Sequence, residues 1–136
     1  MTKTLEQKRA AFALEKIQAI NERIAGEYAT LAKRLPSMVI QCGVGQSLAF
    51  LLSKAKEREE CETMHTHLEE WLNGPIDDQY PRRIYNSTKL IEALMHGSRQ
   101  DYTAAQEEAL ALLEWFSKFA TAFLAQPKQS QGGSRP

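Results

Sequence analysis

IQCGVGQSLAFLLSK, residues Ile40 to Lys54, holds two glycines one residue apart, then a serine, an apolar run and a lysine. As a glycine-rich loop feeding a helix, it would cradle phosphate and make the chain a nucleotide enzyme. As a helix whose glycines admit a neighbouring backbone, it would make the chain a helical building block. A phosphate loop of the G-x-x-x-x-G-K-[ST] type needs a lysine directly after its second glycine. Here Gly45 is followed by Gln46, and the next lysine is Lys54. The dinucleotide fingerprint G-x-G-x-x-G fails as well, because its third glycine would fall on Leu48. Neither motif has the strand it requires in front of it. The helical reading stands, with Gly43 and Gly45 each costing about 1 kcal/mol in propensity and allowing close helix packing in return.

Outward from this stretch, the whole chain reads as helix. Towards the N-terminus, Ala10, Ala13 or Leu14, Ile17, Ile20, Ile24, Tyr28, Leu31 and Leu35 recur at three- and four-residue steps, which predicts one long helix from Thr4 to Leu35. Pro36 is expected to end it, since the residue before a proline is pushed out of the helical region, and to open the first turn of a second helix reaching about Lys56. That second helix is apolar around most of its circumference, the pattern of a central helix packed on several sides. The charged stretch Lys54–Glu62 leads into a third helix with Met64, Leu68, Trp71 and Leu72 on its apolar face, stopped by Asn73, Gly74 and Pro75.

Residues Ile76–Arg83 read as a loop, and Ser87 to Met95 as a short helix closed by His96 and Gly97. A last helix starts near Asp101 or Thr103 and runs to about Ala125. Tyr102, Ala105, Ala109, Leu112, Phe116, Phe119 and Phe123 mark its buried stripe. The expected fold is therefore all-α: a single-domain bundle of five to six helices over residues 1–125, with a buried central second helix. Residues 126–136 (QPKQSQGGSRP) carry nothing to bury and are expected to be a disordered tail.

Composition narrows function mostly by exclusion. Lys plus Arg and Asp plus Glu number 17 each, so any polyanion site must come from local segregation of charge. The two cysteines, Cys42 and Cys61, suit free thiols in a reducing compartment better than a disulfide framework. The N-terminal MTKTLEQKRAAF lacks the apolar core of a secretory signal. Residues 36–53 are uncharged, but their glutamines, serines and glycines suit a helix buried in protein rather than a membrane span. The expected location is cytoplasmic.

Cys61, His65 and His67 form C-x3-H-x-H, but His67 lies about a third of a turn from the i, i+4 pair, and no second cluster completes a four-ligand site. Solvated helix surface is the expectation for them, and no metal or cofactor is expected. His65 and Glu69 are i, i+4 neighbours without a nucleophile or third group to build a triad, and Asp77–Asp78 read as solvated turn residues. No catalytic residue is assigned.

Charge placement is the most informative feature. Arg9, Lys16 and Arg23 repeat every seven residues and would line one side of a continuous first helix. Residues 1–34 hold seven basic and four acidic side chains, against five basic and eight acidic in residues 54–83. With Glu15, Glu22 and Glu27 close by, this stripe can be an ordinary solvated face laced with i, i+4 pairs. It can also track a phosphate backbone without reading bases, with Lys54 joining by snorkelling from the end of its apolar helix.

The chain resembles the small all-helical subunit of the type III-B CRISPR effector, the fifth subunit of the Cmr complex, over about residues 5–125. Arg9, Tyr28 and Ala32, the stretch LPSMVIQCGVGQSLAFLLSK from Leu35 to Lys54, Tyr102, and EALALLEWFSKFATA from Glu108 to Ala122 carry the resemblance. Val44 stands where leucine is usual, a mild departure. The resemblance implies a non-catalytic structural subunit of an antiviral ribonucleoprotein. Its implied partners are neighbouring copies of itself, the backbone subunit, the large subunit, target RNA and guide RNA, and a monomer in isolation is consistent with it. Carried onto this sequence, it puts Arg9 and Lys54 against RNA, with Lys16, Arg23 and Arg34 next. The competing expectation is a helical protein–protein adaptor that binds no nucleic acid.

Overall fold

The computed structural model describes residues 3–73, 84–85 and 89–124, and all that follows concerns these. Six α-helices make up the bundle: α1 Leu5–Gln18, α2 Ala25–Cys42, α3 Val44–Lys54, α4 Glu59–Leu72, α5 Leu90–His96 and α6 Arg99–Phe123. A single 3₁₀ turn, Glu22–Ile24, joins α1 to α2. No strand occurs among the described residues; an isolated bridge pairs Asn73 with Tyr85. The long α6 packs along both α1 and α2, and α4 closes over α2 and α3.

Local chemistry sets the boundaries. Thr4 caps α1 in a capping box, its hydroxyl accepting from the Gln7 amide while the Gln7 side chain accepts from the Thr4 amide. Ser98 caps α6 by accepting from the Asp101 amide. Trp71, Tyr28, Phe116, Leu35, Leu48 and Leu112 are among the fully buried side chains at the centre. Phe12 joins them, tilted on Trp71 at 4.8 Å and edge-on to Phe116 at 6.2 Å.

Two expected boundaries are corrected. The helix expected over Thr4–Leu35 stops at Gln18, and Asn21 restarts the chain by accepting from the Arg23 amide. Asparagine prefers such a cap to a helix interior, and the apolar rhythm runs on across the bend because both sides face one core. Pro36 ends nothing: it lies inside α2, which continues six residues further to Cys42. The break expected there occurs at Gly43, whose φ of +90° is open to glycine alone at low cost.

The helix expected from Pro36 to about Lys56 is therefore two helices meeting at Gly43. Its circumference is not buried throughout, since Ile40 and Leu52 are exposed. The expected short helix from Ser87 is present as Leu90–His96, with residues 86–88 outside the described range. The loop Ile76–Arg83 (apart from its flank at 84–85), Gly74, Pro75, the aspartates Asp77 and Asp78, and the 126–136 tail likewise lie outside it.

Candidate nucleic-acid interface

At the α2–α3 break the first turn of α3 leaves backbone N–H groups without intrahelical partners. Helix α6 supplies the acceptors. Gln106 Oε1 accepts from the Val44 amide at 2.9 Å, and the Tyr102 hydroxyl accepts from the Gly45 amide at 2.9 Å. A β-carbon on Gly45 would sit 2.9 Å from the Tyr102 oxygen and 3.3 Å from Met95 Cε. Close approach is found, but of the Tyr102, Gln106 and Met95 side chains rather than of the helix backbone expected, and Gly43 sits between two helices rather than inside one. The Val44 and Gly45 amides are already taken by protein.

The expected basic stripe is dispersed. Arg9 and Lys16 share α1, but Arg23 lies in the 3₁₀ turn beyond its end. Arg9 turns inward. Its Nε and Nη2 donate to the two carboxylate oxygens of Glu108 at 2.7 and 2.8 Å, and its Nη1 reaches Glu6 at 3.1 Å. The Glu108 side chain is 1% exposed and also accepts from the Trp71 indole N–H at 2.8 Å. The bidentate fork to Glu108 raises the pKa of Arg9.

Lys16 lies over the Phe12 ring at 5.3 Å and pairs with Glu70 at 3.0 Å. Arg23 reaches across to Glu59 at the start of α4, at 2.5 Å, with 63% of its side chain exposed. Each residue of the heptad stripe therefore already holds a carboxylate.

Arg34 and Lys54 differ. Neither makes a side-chain ion pair among the described residues. Arg34 shares a pocket with a third cation, Arg58, and Lys54 ends the helix that leads to it. Arg34, on α2, lies over the Phe50 ring at 5.9 Å. It lines a pocket with Phe50, Arg58 and Cys61, and Glu27 and Glu60 line that pocket as well. The half-buried Lys54 ends α3, and its carbonyl accepts from the Arg58 amide at 2.8 Å. All three charges bear on Cys61. Burial raises the pKa of that thiol and Glu60 adds to the rise, while Arg58, Arg34 and Lys54 oppose it. Sequence reading missed Arg58, which sits in a mixed run of charge, and Phe50, which looked like core; nothing in their spacing marks the junction.

Cys61, His65 and His67 are all buried, which corrects their expected place on solvated surface. Helix α4 is covered by α2, α3 and α6, so its buried face is wider than Met64, Leu68, Trp71 and Leu72 suggest. His67 stacks on Phe116 at 5.6 Å, and its Nδ1 shares a 2.7 Å hydrogen bond with the Tyr28 hydroxyl. Burial, with Lys16 adding to it, lowers the His67 pKa to about 4. Burial lowers that of His65 against the opposing charge of Glu69. No three His, Cys, Asp or Glu side chains among the described residues could hold a metal ion together, and none of the described helices is long and apolar enough to cross a membrane.

Residues 5–123 match the sequence profile of the family described as CRISPR-associated protein (Cas_Cmr5). The chain is 31% identical over 123 residues to the CRISPR system Cmr subunit Cmr5 of Thermus thermophilus, covering 90% of this chain and 97% of that one. It is also similar to the crystal structure of a CRISPR-associated Cmr5 family protein from Thermus thermophilus. There the TM-score is 0.71 at 31% identity, over 90% of this chain and all of the other. With the all-helical bundle expected from the sequence present throughout the described residues, the chain belongs to the Cmr5 family of CRISPR-associated proteins.

Proposed function

We propose that this chain is a non-catalytic subunit of a type III-B Cmr ribonucleoprotein that stacks along the complex and helps hold target RNA. The observation that carries the RNA part is that Arg34 and Arg58 share a pocket where α2, α3 and α4 converge, with Lys54 at the adjoining end of α3, and that none of the three is in an ion pair among the described residues. Cations free of internal partners can release counterions from a phosphate backbone, which gives affinity without reading sequence. Sequence choice then rests on guide–target pairing. Within this reading Arg34 and Lys54 contact RNA directly, Lys16 and Arg23 add to the field while paired to Glu70 and Glu59, and Arg9 supports the bundle from inside.

A protein-only adaptor is the second reading. It is favoured by large apolar side chains left exposed at Ile40, Leu52, Met95 and Phe123, which suit contacts with other subunits. Purification of the tagged chain from its native lysate, followed by end-labelling of co-purifying nucleic acid, separates the two. The first predicts a short guide RNA together with larger Cmr subunits. Recovery of protein partners free of nucleic acid would favour the second and overturn the first.

A further inference from the structure

The proposed RNA contact leaves open how an arginine at the surface of α2 is held ready for a phosphate. An arginine carries a long side chain with much rotamer freedom, and ordering it on binding weakens the contact. Arg34 is exposed, yet its guanidinium already lies over the Phe50 ring, with 5.9 Å between Cζ and the ring centroid. Phe50 sits one turn before Lys54 on α3 and is partly buried, packed on one side against the core cluster. The ring is thus a fixed surface between two helices. A cation–π contact with a ring leaves a guanidinium's N–H donors available, and those are the donors that match phosphate bidentately. Arg58 lines the same pocket, so a phosphate oxygen there meets a second cation.

We infer that Phe50 is the positioning residue of this site, holding the Arg34 guanidinium for bidentate contact with an RNA phosphate beside Lys54 and Arg58. The inference rests on the RNA reading above. It adds a specificity for the planar cation: lysine at position 34 keeps the charge and can lie over a ring, as Lys16 does over Phe12, but it cannot fork onto a phosphate. Glu27 and Glu60 line the same pocket and oppose an anion there, so the contact depends on the two guanidinium groups being held in place.

The test is fluorescence anisotropy of the full chain with a labelled uridine-only RNA of about 20 nucleotides at low salt, with each variant's fold checked by urea unfolding. Phe50→Leu is expected to weaken binding roughly two- to fivefold, the range of an exposed cation–π contact. Phe50→Tyr should bind like the parent. Arg34→Lys should weaken binding about as much as Phe50→Leu while leaving the Phe50 packing in place, so it remains informative if Phe50→Leu is unstable. In an Arg34→Gln background Phe50→Leu should have no further effect. If Arg34→Gln weakens binding but Phe50→Leu and Arg34→Lys do not, the positioning role is wrong and the RNA site stands. If Arg34→Gln, Lys54→Gln and Arg58→Gln all bind like the parent, or the parent does not bind, the RNA site itself fails and this inference with it.

Discussion

Arg9→Met removes the guanidinium while keeping most of the aliphatic stem. The Glu108 carboxylate, 1% exposed, then loses two charge-assisted bonds of 2.7 and 2.8 Å and keeps the Trp71 indole donor. Removing one partner of a buried ion pair costs about 3–5 kcal/mol, because the remaining charge is stranded. Arg9 itself is 15% exposed, so water reaches the pair from one side and the lower end, about 3 kcal/mol, is the better figure. For a domain with roughly 5–15 kcal/mol of total stability that is a large share, and it corresponds to a fall in Tm on the order of 10 °C. Urea unfolding followed by tryptophan fluorescence is the assay, with Trp71 reporting from inside the cluster.

Adding Glu108→Gln to Arg9→Met removes the stranded charge while leaving an amide oxygen for Trp71. The double variant should recover about 1 kcal/mol or more relative to the sum of the two single losses. Stability of Arg9→Met within about 0.5 kcal/mol of the parent, or strict additivity in the double variant, would mean that the pair contributes little and the stranded-charge argument fails. A loss of RNA affinity at unchanged stability would return Arg9 to the RNA-facing set. The same geometry explains why charge reversal at Arg9 is a poor probe of RNA binding: it would set a second carboxylate against Glu108.

Other outcomes follow from the core and its edges. The His67 pKa of about 4 lies below the ordinary 6.5, so the unfolded chain binds the extra proton first as pH falls; stability is full above about pH 6.5 and declines towards pH 4, by roughly 3 kcal/mol in all. His67→Phe should flatten the slope of unfolding free energy between about pH 7 and 5, and an unchanged slope would contradict the assignment. Gly43→Ala, forced to φ +90°, should lose about 1–3 kcal/mol in urea unfolding. Tyr102→Phe should lose about 1–2 kcal/mol by stripping the Gly45 amide of its acceptor. Under native conditions a thiol reagent should label the exposed Cys42 and spare Cys61, which is 2% exposed with its pKa raised by burial; equal labelling on peptide mass mapping would count against the packing of α4.

Helix content was legible because apolar steps of three and four recur through nearly the whole chain. The interruptions were harder to see. Across residues 19–21 the rhythm of Ile17, Ile20 and Ile24 never lapses, and only Asn21, a capping residue, marks the turn. At Pro36 the local rule pointed to a stop, but tertiary packing of α2 against α6 holds the helix through it. The opening glycines were read only in part: Gly45 is a close-packing position, but against side chains rather than a helix backbone, and Gly43 is the helix break. The acceptors of the Gly45 and Val44 amides, Tyr102 and Gln106, lie 57 and 62 residues away, and no local pattern announces them.

The candidate site was only half legible for the same reason. Arg34 and Lys54 could be named from charge and resemblance, but which cations keep their charge for a partner depends on long-range pairing. Glu108 claims Arg9 across 99 residues, Glu59 claims Arg23 across 36, and Glu70 takes Lys16. Spacing within one helix carries no information about such pairs.

If the Arg34–Lys54–Arg58 junction holds RNA through its phosphates, salt is the sharpest probe of it. The decisive comparison is the salt dependence of single-stranded RNA affinity for the full chain and for the Arg34→Gln/Lys54→Gln/Arg58→Gln variant. Each phosphate contact on a single strand contributes about 0.7 to the slope of log affinity against log salt, so losing all of these contacts should reduce that slope by roughly 2. A slope and an affinity unchanged by the triple substitution, in a variant that unfolds like the parent, would show that RNA is not held at this junction.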